Sequence, residues 1–157
     1  MLELRSVSSG IVGCYGQPAA LDQLNGNGAT ALRVAPDELL LLTDRSRVGE
    51  LEAALGTADP TGVVLDLSGA FAIWALRGDA RGEAFCRLSQ VDLPQAPALV
   101  QGLVAHVPAK TVVLDDELLV LVSSAFGHHL RERLLAACAD LGPTEAEPVL
   151  EEEPALA

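Results

Sequence analysis

The side chains in this sequence that could do chemistry are three histidines, three cysteines and a few acids in apolar surroundings. The histidines are His106, His128 and His129. A metal ion needs several ligands converging on one point. Neighbouring helical positions point about 100° apart, so His128 and His129 cannot readily share one ion, and no metal site is expected. The cysteines, Cys14, Cys86 and Cys138, are far apart and odd in number, which argues against a disulfide framework. Cys86 reads as a small core or interface side chain and Cys138 as part of a buried helical stripe, not as reactive thiols. Asp115-Asp116-Glu117 groups carboxylates as acid–base chemistry requires, but in a hairpin turn such a run is solvated punctuation. Asp66 stands out because it lies in the apolar run Val63–Leu67, beside Ser68-Gly69. A carboxylate there either caps the coming turn or is held for function, and turn-capping is the expectation.

Other common sites are missing. Gly13-Cys14-Tyr15-Gly16 and Asn25-Gly26-Asn27-Gly28 lack the spacing and helix context of phosphate-binding loops and read as turns. There is no nucleophile-elbow sequence. Trp74 reads as packing. No catalytic set emerges.

The elements that would position these residues are partly duplicated. Asp37-Glu38-Leu39-Leu40-Leu41-Leu42 returns seventy-nine positions later as Asp116-Glu117-Leu118-Leu119-Val120-Leu121. Without a gap, Val34 falls on Val113, Leu51 on Leu130 and Leu55 on Leu134. Each copy reads as strand, acidic turn, strand and amphipathic helix. In the first copy the strands are Ala29–Ala35 and Glu38–Thr43. The four leucines would be buried on both faces. Val48, Leu51 and Leu55 share a helix face, with Thr43 or Asp44 as cap and Gly56 as stop.

In the second copy Ser123 or Ser124 caps the helix, and Phe126, Leu130, Leu134, Cys138 and Leu141 form one stripe. Ile11–Tyr15, Val63–Leu67, Ala70–Leu76 and Gly102–Val107 read as further strands. Pro18–Leu24 and a helix opened by Gly78-Asp79, with Asp79 as its cap, and running through Leu88 complete the list. Ser68-Gly69 joins two strands, and Pro108-Ala109-Lys110 leads into Thr111–Leu114. Hairpins alternating with helices imply an α+β two-layer sandwich, with a mostly antiparallel sheet and helices on one face. Residues 1–142 would form one domain with an internal duplication. Residues 143–157 would be an acidic, Pro-containing tail.

Half of the 157 residues are hydrophobic and only 3% are aromatic, so the core must be Leu, Val and Ala. The formal charge is −12 and the pI about 4.4. Ten scattered Lys and Arg do not make the positive surface that nucleic acid or anionic membrane requires. Met1-Leu2-Glu3-Leu4-Arg5 is unlike a secretory signal. With no spanning apolar run, a cytoplasmic location is expected.

The passage Val64-Leu65-Asp66-Leu67-Ser68-Gly69-Ala70-Phe71-Ala72-Ile73-Trp74-Ala75-Leu76-Arg77-Gly78-Asp79-Ala80 resembles one in the folate-binding aminomethyltransferase superfamily. There an Asp–hydrophobic–Ser segment precedes a strand, a Leu-x-Gly turn and a helix. Within that superfamily the chain is most similar to the gamma subunit of heterotetrameric sarcosine oxidase. Ser89-Gln90-Val91-Asp92-Leu93-Pro94 and the closing helix from Ser124-Ala125-Phe126 through Leu130–Leu141 add to the likeness, which covers Ala29–Gly142.

The resemblance implies a folate-binding-domain-like fold of duplicated ferredoxin-like strand–helix units. Catalytic members place an aspartate just after the helix, where this chain has Gln90, with Asp92 two residues on. Gln cannot supply a carboxylate, which argues against independent one-carbon transfer. By the same resemblance, FAD, FMN, NAD and tetrahydrofolate belong to larger alpha- and beta-type flavoprotein subunits, accompanied by a small delta-type subunit. This chain would be an accessory packed on the folate domain of alpha, binding no cofactor alone. Two other readings are a stand-alone folate-binding or folate-dependent protein and a self-associating module. The first would use Asp66, Arg77, Gln90 and Asp92. The second would use Leu39–Leu42 and Leu118–Leu121 as an interface, provided a face is left uncovered.

Overall fold

A computed structural model of the chain describes residues 1–24 and 28–148. Asn25–Asn27 of the expected glycine-rich turn, and residues 149–157 of the tail, lie outside the described residues. Ten strands and four α-helices occur among those described. The strands are β1 (Leu2–Val7), β2 (Gly10–Tyr15), β3 (Thr30–Ala35), β4 (Glu38–Thr43), β5 (Val63–Asp66), β6 (Phe71–Arg77), β7 (Ala98–Val104), β8 (Val107–Val113), β9 (Glu117–Ser123) and β10 (Pro143–Glu145). The helices are α1 (Pro18–Asp22), α2 (Val48–Ala58), α3 (Arg81–Leu88) and α4 (Gly127–Ala137). The chain divides into two compact units, Ser9–Gly69 and Met1–Ser8 with Ala70 onward.

The Ser9–Gly69 unit is an antiparallel sheet in the order β3-β4-β2-β5, covered by α2. Its path β2-α1-β3-β4-α2-β5 is that of a ferredoxin-like unit. Leu39–Leu42 are all buried, so the leucine run fills the strand on both faces as expected. Leu39 and Leu41 meet Val48, Leu51 and Leu55 of α2, together with Val12 and Cys14 of β2. Fully burying each such leucine is worth about 1.5–3 kcal/mol.

The other unit has the order β10-β1-β6-β9-β8-β7, antiparallel except where β10 runs parallel to β1. It repeats the same path with β6, α3, β8, β9, α4 and β10. Two strands are added: β1 enters between β6 and β10, and β7 extends the edge beyond β8. Leu118, Val120 and Val122 of β9 meet Leu130, Leu134 and Cys138 in the core beneath α3 and α4. In the repeat, β4 and β9 thus start seventy-nine residues apart, and α2 and α4 both start and stop seventy-nine residues apart, one copy in each unit. Most of the leucines proposed for self-association are covered: Leu118 and Leu121 are buried, and Leu119 is half-buried.

Several expectations are corrected. Ser68-Gly69 does join two strands, β5 and β6, but they belong to different sheets and do not pair. β1 was not anticipated, although Leu2 and Leu4 are fully buried. Gly56 lies inside α2, which continues to Ala58. The starts of α3 and of the 3₁₀ turns preceding α2 and α4 carry no side-chain capping hydrogen bond, so Asp44, Asp79 and Ser123 do not cap them. The hairpin turn between β7 and β8 is Ala105-His106, and Pro108 lies within β8. Pro108 is tolerated there because the ladder to β9 begins only at Ala109. β10 occupies the first residues of the stretch read as a tail, and Ala146 N donates to Leu4 O at 2.9 Å.

Candidate functional site

Asp66 ends β5, at the rim of its sheet. Its Oδ1 accepts from Ser68 N at 2.9 Å and from Ser68 Oγ at 2.6 Å. The Ser68 hydroxyl in turn accepts from Ile11 N at 3.0 Å. These bonds from Ser68 hold the carboxyl below its usual range, with a smaller contribution from the charge of Arg45. Asp66 therefore fastens the turn that leaves β5.

Arg77 closes β6 and stands opposite Glu117 of β9 in register. Its Nε donates to Glu117 Oε2 at 2.7 Å, which raises the guanidinium's pKa. Gln90 and Asp92 are both exposed on the segment after α3. Asp66 belongs to one compact unit and Arg77, Gln90 and Asp92 to the other. Of the four, Gln90 alone lines a depression of about 450 Å³, bounded by α3, α4 and the β7–β8 turn.

The remaining reactive side chains are dispersed. His128 pairs with Glu132 at 3.2 Å, and Nε2 of His129 donates to Ala105 O at 3.0 Å. Among the described residues no group of His, Cys, Asp and Glu could hold a metal ion. Cys14 and Cys138 are buried, whereas Cys86 is exposed and not in the core. Burial, reinforced by the Asp59 charge, pushes the Cys14 thiol up to about 11. Asp115 and Asp116 are exposed in the β8–β9 turn, which Leu114 N closes by donating to Glu117 O at 2.9 Å. Trp74 packs on the core, and its Nε1 donates to Gly127 O at 3.1 Å.

Three features of the depression escaped the sequence reading. Arg133 of α4 lies on its wall with no hydrogen-bond or ion-pair partner among the described residues. Arg87 of α3 also lines it and is fixed by Asp140 and Glu83. The Ala105-His106 turn has φ of 51° and 69°, both left-handed and neither residue glycine. Two-residue hairpin turns of this kind favour Asn-Gly or Gly-Gly, so an Ala-His pair gives no signal in the sequence.

The two sheets, their strand order and the helices over them define a folate-binding-domain-like α+β fold built of ferredoxin-like units. Among solved structures, the chain is similar to a chain of heterotetrameric sarcosine oxidase from Corynebacterium sp. U-96 in complex with pyrrole 2-carboxylate. The TM-score is 0.79 at 20% identity, over 92% of this chain and 87% of that one. It is also similar to the glycine cleavage system aminomethyltransferase T from Bartonella henselae, with a TM-score of 0.64 at 13% identity, over 92% of this chain and 47% of that one. A more distant likeness, with a TM-score of 0.55 at 9% identity, is to the regulatory subunit of aspartate kinase from Thermus thermophilus, over 87% of this chain and 97% of that one. No protein-family model and no curated protein sequence matches the chain.

Proposed function

We propose that this chain is a non-catalytic accessory subunit, of the gamma type, of a heteromeric flavin-dependent sarcosine oxidase or a related N-methyl amine oxidase or demethylase. The supporting observation is the extent of the likeness to the sarcosine oxidase chain, 92% of one and 87% of the other. Those shares make the two chains similar in length, so the likeness is with a whole small chain. The aminomethyltransferase is matched over only 47% of its length. The polar candidates agree with this reading: Asp66 fastens a turn and Arg77 is paired with Glu117, and the family resemblance puts Gln90 where catalytic members carry an aspartate.

In this reading FAD, FMN, NAD and tetrahydrofolate reside in larger alpha- and beta-type subunits, with a small delta-type subunit completing a cytoplasmic heterotetramer. The chain packs on the folate domain of the alpha-type subunit. The test is affinity purification of the tagged chain from its native host. Recovery with yellow, larger flavoprotein subunits supports the proposal, and recovery of the chain alone rejects it.

A stand-alone folate-binding or one-carbon-transfer protein is the alternative, favoured by the aminomethyltransferase likeness and by Gln90 at the depression. Calorimetry of the isolated chain with tetrahydrofolate separates the two readings. Saturable binding at millimolar ligand or below supports the alternative, and no heat of binding removes it.

A further inference from the structure

We propose that the depression between α3, α4 and the β7–β8 turn is a binding site for a small carboxylate with an apolar body. Charge sets this depression apart from the rest of the chain. The chain carries 22 Asp and Glu against 10 Lys and Arg. The lining of this depression nevertheless contains Arg87, Arg133 and His106 and no acid. The two arginines have different roles. Arg87 donates to Asp140 and to Glu83, so its charge is already matched and its position fixed. Arg133 is exposed and unmatched among the described residues, leaving a planar guanidinium for a carboxylate to accept from in bidentate fashion.

The second observation is strain. Left-handed backbone costs a residue with a Cβ about 1–2 kcal/mol, and Ala105 and His106 both adopt it. The turn is held in place from two sides. Ala105 N donates to Leu88 O at 2.8 Å, and His129 Nε2 donates to Ala105 O at 3.0 Å. These bonds tie the turn to the end of α3 and to α4, and they set His106 on the lining of the depression. Persistent local strain of this kind collects at functional positions. Leu88, Val91 and Leu103 supply apolar wall, and Leu103 is 56% exposed at this hairpin edge. A volume of about 450 Å³ suits a small molecule. The inference stands independently of the accessory-subunit reading.

The probe is benzoate, with neutral benzamide as its isosteric control, titrated into the full chain and followed by amide NMR. Saturable benzoate shifts at Leu88–Val91 and Ala105–His106, with benzamide at least about tenfold weaker, are expected. R133Q should weaken benzoate by about tenfold or more while leaving the thermal midpoint unchanged, since Arg133 has no described partner to lose. R87Q is not the test, because its loss would also break the contacts to Asp140 and Glu83. Failure of benzoate to saturate these resonances overturns the proposal. So does binding that benzamide matches, or that R133Q leaves intact.

Discussion

His106→Gly should make this protein more stable. The turn residue has φ of 69°, where an L-residue loses about 1–2 kcal/mol relative to glycine. Glycine loses more conformational entropy on folding, which takes back about 0.5–1 kcal/mol. The imidazole has no described partner, so little else is given up. The net expectation is a gain of about 0.5–1 kcal/mol. For a chain of this size that raises Tm by about 1–4 °C. Differential scanning calorimetry measures it, with His106→Ala as control. Alanine removes the imidazole but keeps the strain, so it should show no gain. Ala105→Gly should gain less than His106→Gly, because the Ala105 methyl is buried with 2% exposure. A His106→Gly protein no more stable than wild type, or a His106→Ala protein equally stabilised, refutes the strain argument.

Other outcomes follow from particular contacts. Gly127→Ala places a Cβ 2.6 Å from Ala72 Cβ, so α4 must shift off the sheet at a cost of about 1–3 kcal/mol; adding Ala72→Gly should recover part of it in urea titrations. Asp66→Ala should cost about 0.5–1 kcal/mol at neutral pH after discounting for exposure. Because the folded carboxyl titrates below its ordinary 3.8, that difference is full above the ordinary value and disappears as pH falls through the lower folded one. The Cys14 thiol ionises at 9.0 when unfolded and at about 11 when folded. The fold binds the extra proton across that window, so stability should decline as pH climbs from 9.0 toward 11. Cys14→Ala should flatten that slope. A thiol reagent should label Cys86 rapidly while Cys14 and Cys138 resist until unfolding, read by peptide mass spectrometry.

The repeated units could be read in advance because their signal is local. Leu39–Leu42 and Leu118–Leu121 are dense enough to demand buried strands, and the spacing of Val48, Leu51 and Leu55 marks one helix face. What escaped depends on tertiary context. Leu2-Glu3-Leu4-Arg5 alternates as a strand should, yet only insertion between β6 and β10 gives it a place. Ser68-Gly69 looks like any hairpin turn, and nothing nearby shows that the next strand joins another sheet. Ala105-His106 lacks the glycine or asparagine that announces a left-handed turn. The depression was least legible, since Gln90, His106 and Arg133 share no motif and meet only through the packing of α3, α4 and the hairpin. Asp66 was read correctly as a turn residue because its pairing with Ser68 is only two residues long.

The proposed role makes this chain one subunit of a larger flavoprotein. Native mass spectrometry of the assembly captured with the tagged chain from its host is the decisive measurement. A complex of this chain with larger subunits that carry flavin and release it on denaturation is expected. A mass equal to the chain alone, or to copies of it without flavin, rules that role out.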